Sequence, residues 1–352
     1  MAVQKIRYYY MENEFPDGME ILNRIVRCFR KFVGNKKCLQ KLGKLAYATM
    51  LKRDRNCGGN NLMLTGPAST GKTSIVRAFA KAVLIPYLEI MPYSLKSLDA
   101  MIDMMKKTID NFGSGIQLVP TVDEFTYECP PMIIFVDEAH ALKPEIQDAL
   151  LKAVESNDRV MVTESGIKMD CRNICWMFAT TDAGKLLPPL LSRFTVIELK
   201  QYSKHEIGHI IHRHFDNKIP LDACMRIAHF ESRIPRRAIA FAKDVLMLRE
   251  INSVANWTDL CNEVADDNGI DEHGLSEQHL RVLRLLSRGP ISKDRMAMCF
   301  QISKDELEKM VMAPILSHTD DNPALVTICS KGYYLTDAGK DALSLRKIAY
   351  AA

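Results

Sequence analysis

The chain has 352 residues, of which 47% are hydrophobic and 26% are charged, and its formal net charge at pH 7 is +4. This composition is typical of a globular protein with two or three domains and excludes a disordered chain, while the mild positive charge permits nucleic-acid binding without indicating it. No apolar run reaches about 18 residues and the first residues lack an apolar segment, so we expect no membrane span, no secretory signal and a cytoplasmic location. The ten cysteines include no C-x-x-C pair, which favours reduced thiols over a structural zinc site.

The first elements lead up to a short apolar strand. Residues 1–20 show no clear hydrophobic period and are interpreted as an N-terminal arm. Apolar residues then recur at helical spacing over 19–30 and again up to Leu51, which predicts two helices separated by Lys31–Asn35. A polar, glycine-rich connection at 52–60 leads into the strand Asn61–Thr65.

The sequence GPASTGKT at Gly66–Thr73 matches the phosphate-loop pattern G-x-x-x-x-G-K-[ST] at every fixed position. A strand precedes it and a helical pattern follows, which is the context that the motif requires. Backbone N–H groups of such a loop surround phosphate oxygens, Lys72 binds the β- and γ-phosphates, and the hydroxyl of Thr73 ligates Mg²⁺. The sequence therefore predicts an ATP and Mg²⁺ site formed by Gly66, Pro67, Ala68, Ser69, Thr70, Gly71, Lys72, Thr73 and Ser74.

The second decisive stretch is an apolar strand, Met132–Val136, that ends in two carboxylates. Ligands of open α/β sheets bind at the carboxyl ends of the strands, so this pair matches the Walker B arrangement. Asp137 would orient Mg²⁺, and Glu138 would polarise the water that attacks the γ-phosphate. The alternative is a pair of acids that merely precedes a helix beginning at Pro144.

The remainder of the first half predicts a helix over 144–156, a β-hairpin over 159–169 that turns at Ser165-Gly166, and a strand over 174–179. A polar residue at the tip of that last strand, Thr180, Thr181 or Asp182, can reach a γ-phosphate or the attacking water. Further on, Arg193 lies between apolar neighbours, and a guanidinium on a rigid base can act as an arginine finger toward the nucleotide of a neighbouring subunit.

The C-terminal part begins with helices. Ser203 and Glu206 form a capping-box pattern, and the following helices predict a small helical lid. His209, His212 and His214 are interpreted as a polar helix face, because no carboxylate or cysteine completes a metal set. After a polar linker, three helices and a hairpin predict a winged helix, in which Lys331 would contact phosphate and Tyr333, or its neighbour Tyr334, would lie along a DNA groove. The alternative is a winged helix that binds protein.

Together these motifs resemble those of AAA+ ATPases, and more closely those of the bacterial RuvB motors of Holliday-junction branch migration. Besides the phosphate loop and the Walker B strand, the likeness covers an adenine-binding segment at Phe32–Asn35, the sensor 1 sequence at Ala179–Thr181, LLSRF at Leu190–Phe194, and a lid beginning near Tyr202. The resemblance implies that Val33 and Tyr202 lie near adenine, that Thr181 is sensor 1, and that Arg193 is the finger acting in trans.

The resemblance also implies that Arg236 is the sensor 2 arginine of the lid, although Arg237 stands next to it. Two departures from the family pattern concern how ATP hydrolysis is coupled to a partner or substrate, rather than hydrolysis itself. The hairpin at Ser165-Gly166 occupies the place of the hairpin that binds RuvA but looks several residues shorter, and the stretch over 91–127 is longer than usual. We therefore expect ATPase activity, and we do not extend the expectation to a RuvA-type partner.

The sequence thus predicts an α/β fold: an AAA+ P-loop NTPase domain with a small helical lid domain and a C-terminal winged-helix domain. The expected boundaries are 1–20 for the arm, 21–199 for the ATPase domain, 200–268 for the lid and 269–352 for the winged helix. The expected function is an ATP-hydrolysing motor that acts on branched or duplex DNA as a homo-oligomeric ring, a hexamer. The alternatives are a clamp-loader-like ATPase that remodels a protein, and an unfoldase with Phe112-Gly113 as its pore loop.

Overall fold

The computed structural model describes residues 18–52, 56–112, 119–120, 126–155, 157, 159–231, 234–272, 274–316 and 323–349. The chain divides into two compact units, Met1–Lys200 and Gln201–Ala352. Of the expected N-terminal arm, residues 1–17 lie outside the described part, and residues 18–20 begin the first helix.

The first unit is built on a parallel sheet of five strands. Their order across the sheet is β2-β5-β8-β1-β9, so the strand before the phosphate loop lies beside the strand that leads to Thr181, the predicted sensor 1 residue. Both β5 and β8 are buried along their whole length, as expected for central strands with helices on both faces. The five strands are β1 Asn61–Thr65, β2 Tyr87–Ile90, β5 Met132–Val136, β8 Ile174–Thr180 and β9 Thr195–Glu198.

Helices cover both faces of this sheet and create two apolar cores. One core packs the first three helices against β1 and β8 around Phe79 and Phe135, and the other surrounds Trp176 and Phe178. The helices described in this unit are α1 Gly18–Phe29, α2 Lys36–Met50, α3 Lys72–Val83, α4 Leu98–Phe112, α5 Pro144–Leu150 and α6 Pro188–Leu191. Phe112, part of the suggested pore loop, packs against the second core, and Gly113 lies outside the described residues.

A smaller sheet forms beside the main one, and the sequence predicted only half of it. The predicted hairpin is present as β6 Val160–Val162 and β7 Lys168–Asp170. Two short strands from the long stretch after α4, β3 Val119–Pro120 and β4 Thr126–Glu128, extend it in the order β3-β4-β7-β6. The pairing of β4 with β7 joins positions about 40 residues apart, as Tyr127 and Met169 show, so no local pattern indicates it.

One helix boundary differs from that predicted. Helix α5 ends at Leu150 instead of continuing to 156 and is followed by turns. Helix α4 begins at Leu98, after a short 3₁₀ turn at Pro92–Ser94. Ser97 Oγ accepts the N–H of Ala100, and the Glu164 carboxylate of the hairpin accepts those of Leu98 and Asp99. The tip of the hairpin therefore also serves as a helix cap.

The second unit begins with four helices around one apolar core, which includes Tyr202 and Phe241. The predicted capping box is present: Ser203 Oγ accepts the N–H of Glu206, and the Glu206 carboxylate accepts the N–H of Ser203. These helices are α7 Lys204–His214, α8 Leu221–Phe230, α9 Pro235–Ile251 and α10 Trp257–Asp267.

The C-terminal part has its own apolar core, separate from that of the lid helices. It contains helices, a π-helical stretch and a hairpin joined at Ser330-Lys331: α11 Glu277–Leu286, α12 Lys293–Phe300, α13 Lys304–Glu306, the π-helix Leu307–Met312, α14 Ala313–Leu316, β10 Val326–Cys329 and β11 Gly332–Leu335. A further helix that the sequence did not predict, α15 Asp337–Ala349, follows the hairpin, and Thr336 caps it by accepting the N–H of Gly339. Among the described residues, no helix is both long and apolar enough to cross a membrane.

Candidate nucleotide site

The phosphate loop connects the end of β1 to the start of α3 and has an unusual backbone. Gly66, Ser69 and Gly71 have φ angles of 142°, 63° and 86°. A Cβ on Gly66 would lie 2.3 Å from the carbonyl oxygen of Leu199, so only glycine fits beside the chain that leaves β9. The loop exposes Pro67, Ala68 and Ser74 and buries Thr70.

Lys72 lies within the loop at the first turn of α3. Its side chain is buried, and Nζ donates hydrogen bonds to the carbonyl oxygens of Gly66 at 2.8 Å and Pro67 at 2.9 Å. Burial lowers the pKa of this ammonium, while the nearby carboxylates of Glu138 and Asp137 oppose the change. A cation is therefore held where a phosphate would approach the N-terminus of α3.

The two predicted Mg²⁺ ligands are in contact. Thr73 Oγ1 donates a hydrogen bond of 2.6 Å to Asp137 Oδ2. Parallel order explains this contact, because α3 follows β1 and Asp137 follows β5 at the same edge of the sheet. Hydroxyl and carboxylate oxygens are the donors that Mg²⁺ prefers, so this pair fits the ion.

Glu138 has a strained backbone beside this pair. Its φ angle of 50° is unusual for a residue other than glycine, and its N–H donates to Asp137 Oδ1 at 3.0 Å. The strain turns the side chain toward the tip of β8, where Thr181 Oγ1 donates to Glu138 Oε2 at 3.4 Å. The predicted base and the predicted sensor 1 residue therefore lie side by side.

His140 is a site residue that the sequence analysis missed. Its Nδ1 is 3.0 Å from Thr180 Oγ1 and 3.3 Å from Glu138 Oε2. The imidazole thus links the Walker B turn to the end of β8. The sequence feature that could have identified His140 is its position three residues after Asp137, in a short turn.

Arg193 follows α6 and is next to a buried aromatic residue, Phe194, that packs against Phe178. The ring centroids of Phe194 and Phe178 are 4.4 Å apart, and both side chains are buried. The guanidinium is paired within its own chain: Nη2 lies 2.9 Å from Glu155 Oε1, and Nη1 donates to the carbonyl of Pro189 at 2.6 Å. Neither partner was predicted.

Asn61, at the start of β1, fixes the backbone of both members of this ion pair. Its Nδ2 donates to the carbonyl oxygens of Val154 at 2.6 Å and of Arg193 at 3.0 Å. Glu155 follows Val154 directly, so one buried amide holds the two segments together. The position of Arg193 is therefore set by the sheet.

The predicted adenine segment is the loop between α1 and α2. Gly34 and Asn35 both have positive φ angles, of 67° and 42°, and Val33 is partly exposed. Asn35 anchors this loop to the end of the unit, since its Oδ1 accepts the N–H of Lys200 at 2.8 Å and its Nδ2 donates to the Lys200 carbonyl at 3.2 Å. The loop is thereby fixed at the point where the chain leaves the ATPase domain.

The expected site residues of the lid belong to the second unit. Tyr202 is buried in the core of the lid helices. Arg236 is exposed in the first turn of α9, whereas Arg237 pairs with Glu231 at 2.7 Å. Glu231 is mostly buried, and burial raises its pKa while Arg237 lowers it. This ion pair favours Arg236 over Arg237 as the arginine that is available to a nucleotide. Ser232 and Arg233 lie outside the described residues.

The hairpin of the C-terminal part corrects one prediction. Tyr333 was expected to lie along DNA, but it is 2% exposed, belongs to the apolar core, and donates through its hydroxyl to Glu308 Oε1 at 3.3 Å. Pairing of Tyr333 with Ile291 turns its ring inward, so alternation turns Tyr334 outward with 40% exposure. Of the two tyrosines named in the prediction, Tyr334 is therefore the exposed one, next to exposed Lys331 at the turn.

This arrangement predicts that the two tyrosines contribute very differently to stability. We expect Tyr333→Ala to destabilise the C-terminal part by about 3 to 5 kcal/mol, as for other large aromatic residues removed from a core. Tyr334→Ala should leave stability nearly unchanged. Circular dichroism during thermal unfolding of the full chain would measure both effects, and equal losses would contradict the assigned strand orientation.

The histidines of α7 make contacts within the chain. His205 and His209 pack their rings edge to face, and His212 Nδ1 contacts the carbonyl of Ile219 at 2.8 Å. Within the described ranges, no group of three or more His, Cys, Asp or Glu side chains is arranged to hold a metal ion.

Comparison with known proteins agrees with this site. Residues 62–202 match the model of the ATPase family associated with various cellular activities (AAA), so the chain contains a nucleotide-binding AAA domain. The chain is 25% identical over 329 residues to the Holliday junction branch migration complex subunit RuvB of Campylobacter jejuni subsp. doylei, covering 90% of each protein. It is 24% identical to the RuvB subunit of Wolbachia sp. subsp. Brugia malayi, covering 95% of this chain and 97% of that protein.

A solved structure has the same fold. The RuvB Holliday junction branch migration motor of Thermotoga maritima matches with a TM-score of 0.67 and 22% sequence identity, over 89% of this chain and 95% of that chain. The expected α/β architecture, a P-loop domain with a parallel central sheet followed by helices, is confirmed.

Proposed function

We propose that this RuvB-like AAA+ ATPase is a ring-forming motor that hydrolyses ATP to move duplex or branched DNA. The observation that carries the proposal is the convergence of Lys72, Thr73, Asp137 and Glu138 at one edge of the sheet, with Thr181 in contact with Glu138. The RuvB relatives, which match along most of this chain, support DNA as the substrate.

In the hydrolytic step, the oxygen of a water molecule attacks the γ-phosphorus and the bond from that phosphorus to the β–γ bridging oxygen breaks, releasing ADP and phosphate. Glu138 accepts a proton from the attacking water, and Thr181 orients that carboxylate through its hydroxyl. Lys72 would leave the carbonyls of Gly66 and Pro67 to bind phosphate oxygens, joined by the N–H groups of the loop.

Thr73 and Asp137 are the residues that would hold Mg²⁺. When bound, the ion neutralises charge on the β- and γ-phosphate oxygens. The contact between the two oxygen donors supports this assignment.

A ring follows from the chemistry proposed for Arg193. The guanidinium lies on a rigid base set by Asn61 and Phe194, with Glu155 and the Pro189 carbonyl bound to it. A guanidinium has five N–H groups, so these partners leave donors for a phosphate of a neighbouring subunit. We propose that Arg193 completes the site of that neighbour in a hexamer.

Arg236 is proposed to transmit the effect of ATP hydrolysis to the lid as a movement. It lies in the first turn of α9, so its displacement would move a helix of 17 residues that packs in the lid core. Val33 and Tyr202 are the proposed neighbours of adenine.

A RuvA-type partner is not part of the proposal. The hairpin tip that would bind one is engaged within the chain, because Asp99 accepts the N–H and the hydroxyl of Ser165 while Glu164 caps α4. The protein-remodelling alternatives receive less support, since the named relatives are RuvB subunits and Phe112 packs against the core.

The test is steady-state ATP hydrolysis by the purified chain alone and with linear duplex, single-stranded or four-way-junction DNA. We expect duplex or junction DNA to stimulate turnover several-fold, because productive translocation couples to the ATP cycle. Equal hydrolysis with and without every DNA would contradict the motor and favour a protein substrate.

A further inference from the structure

All charged residues of the first two helices after Glu20 are basic. From Ile21 to Lys52 the sequence contains nine lysines and arginines and no aspartate or glutamate. The whole chain has 47 basic and 43 acidic residues, so the other residues hold 38 basic against 43 acidic ones. The positive net charge of the protein therefore originates in this segment.

The fold exposes most of these basic side chains to solvent. Helix α2 buries Cys38, Leu42, Ala46 and Met50 against the apolar core. Its opposite face exposes Lys36, Lys37, Lys41 and Lys44, of which Lys37, Lys41 and Lys44 follow one another at about one helical turn, roughly 5 Å along the axis. Arg27, Arg30 and Lys31 are exposed on the adjoining end of α1 and its loop. We call these seven residues the α1–α2 basic surface.

The described elements that pack against α2 bring few acidic side chains to its four lysines. Helix α2 packs against α1 and α3. Helix α3 contains no acidic residue, and α1 contributes only Glu20. Within the described part of the chain, none of Lys36, Lys37, Lys41 and Lys44 takes part in an ion pair. Like charges at this spacing repel one another and destabilise the helix slightly.

The chemistry of this surface distinguishes between possible ligands. Interfaces between proteins have apolar or aromatic centres and are depleted in lysine. The exposed face of α2 has Gln40 among its lysines and Ala48 beyond them, and it has no exposed aromatic side chain. Flexible ammonium groups in a row suit a repeating anion, and the phosphodiester backbone supplies one negative charge per roughly 3.4 Å of each strand.

We propose that the α1–α2 basic surface binds the phosphate backbone of DNA, as a contact on the ATPase domain additional to the winged helix. The contact is independent of base sequence, because lysines that meet phosphates carry no base information. The inference rests on the proposed function for its ligand class, but it requires neither hydrolysis nor a ring.

The experiment measures binding of a fluorescein-labelled 30-bp duplex by anisotropy over a series of salt concentrations, without nucleotide. The test variant carries Lys36→Gln, Lys37→Gln, Lys41→Gln and Lys44→Gln. The matched control replaces four exposed lysines elsewhere, Lys107, Lys168, Lys218 and Lys243, and so has the same net charge. Circular dichroism establishes that both variants fold like the parent chain.

We expect the test variant to bind at least about 10-fold more weakly at low salt and to lose about 2 to 3 from the slope of log K against log salt. The control should change by less than 2-fold, and replacing the same four residues by arginine should preserve binding. Equal behaviour of test and control variants would overturn the proposal. Binding of poly-glutamate as tight as that of DNA would also overturn it, in favour of an acidic protein.

The outcome is separable from that of the motor proposal. If DNA does not stimulate ATP hydrolysis but the test variant loses duplex binding, the basic surface is upheld and the motor is not. If DNA stimulates hydrolysis and the four substitutions leave binding unchanged, the motor is upheld and the surface is not.

Discussion

Arg193→Ala is expected to lower the rate of ATP hydrolysis by about 10³-fold or more while ATP binding changes little. The reason is that a guanidinium supplied to the transferring phosphoryl group stabilises charge that develops only in the transition state. Arg193→Lys should recover little activity, since an ammonium lacks the planar fork. Turnover and binding of a fluorescent ATP analogue, each measured on the assembled protein, would separate the two effects.

Mixed rings test whether the finger acts in trans. Subunits with Arg193→Ala have an intact phosphate loop, and subunits with Lys72→Ala have an intact finger. Mixing them should restore part of the activity that neither has alone. Arg172→Ala is the matched control, because Arg172 is likewise an arginine paired with a carboxylate of its own chain, that of Asp170. Failure of mixed rings to recover any activity would contradict catalysis between subunits.

A substitution of Glu155, the partner of Arg193, should give a weaker form of the Arg193→Ala effect. It binds Arg193 Nη2 at 2.9 Å but is 45% exposed, so the pair itself contributes little to stability. Its effect is therefore expected on the orientation of Arg193 rather than on folding. Glu155→Ala should lower kcat by a smaller factor than Arg193→Ala does, and the two changes together should cost no more than Arg193→Ala alone.

The second large effect concerns Glu138. We expect Glu138→Gln to reduce ATP turnover by about 10²- to 10⁴-fold, because an amide keeps the shape of the side chain but cannot accept the proton of the attacking water. Binding of ATP should persist, since Lys72, Thr73 and the loop are unchanged. Glu145→Gln on α5 is the control, because this exposed carboxylate also lies just beyond the Walker B strand.

Single-turnover hydrolysis measures the chemical step of this variant directly. A Glu138→Gln protein that hydrolyses bound ATP at the parent rate would remove Glu138 from the mechanism. In that case His140, whose Nδ1 lies 3.3 Å from the same carboxylate, would be the next side chain to replace.

The sequence alone determined the phosphate loop, the Walker B strand and the hairpin. Each is a local pattern: fixed glycines and a lysine at set spacing, an uninterrupted apolar run, or alternation on both sides of Ser165-Gly166. Such patterns reflect contacts between near neighbours in the chain, and those contacts depend little on the rest of the fold. Alternating strands and helices also predict parallel strands, whose carboxyl ends lie at one edge of the sheet, and Thr73 and Asp137 both follow such ends.

Only the tertiary structure decided the partners of these residues. Glu155 with Arg193, His140 with Thr180, and Asn35 with Lys200 join positions separated by 38 to 165 residues, and no periodicity encodes such pairs. The same is true of Tyr333, because two adjacent tyrosines give no alternation from which to choose the inward one. Its pairing with Ile291 set the register of the strand and buried its ring, and this contact exists only once the C-terminal core has formed.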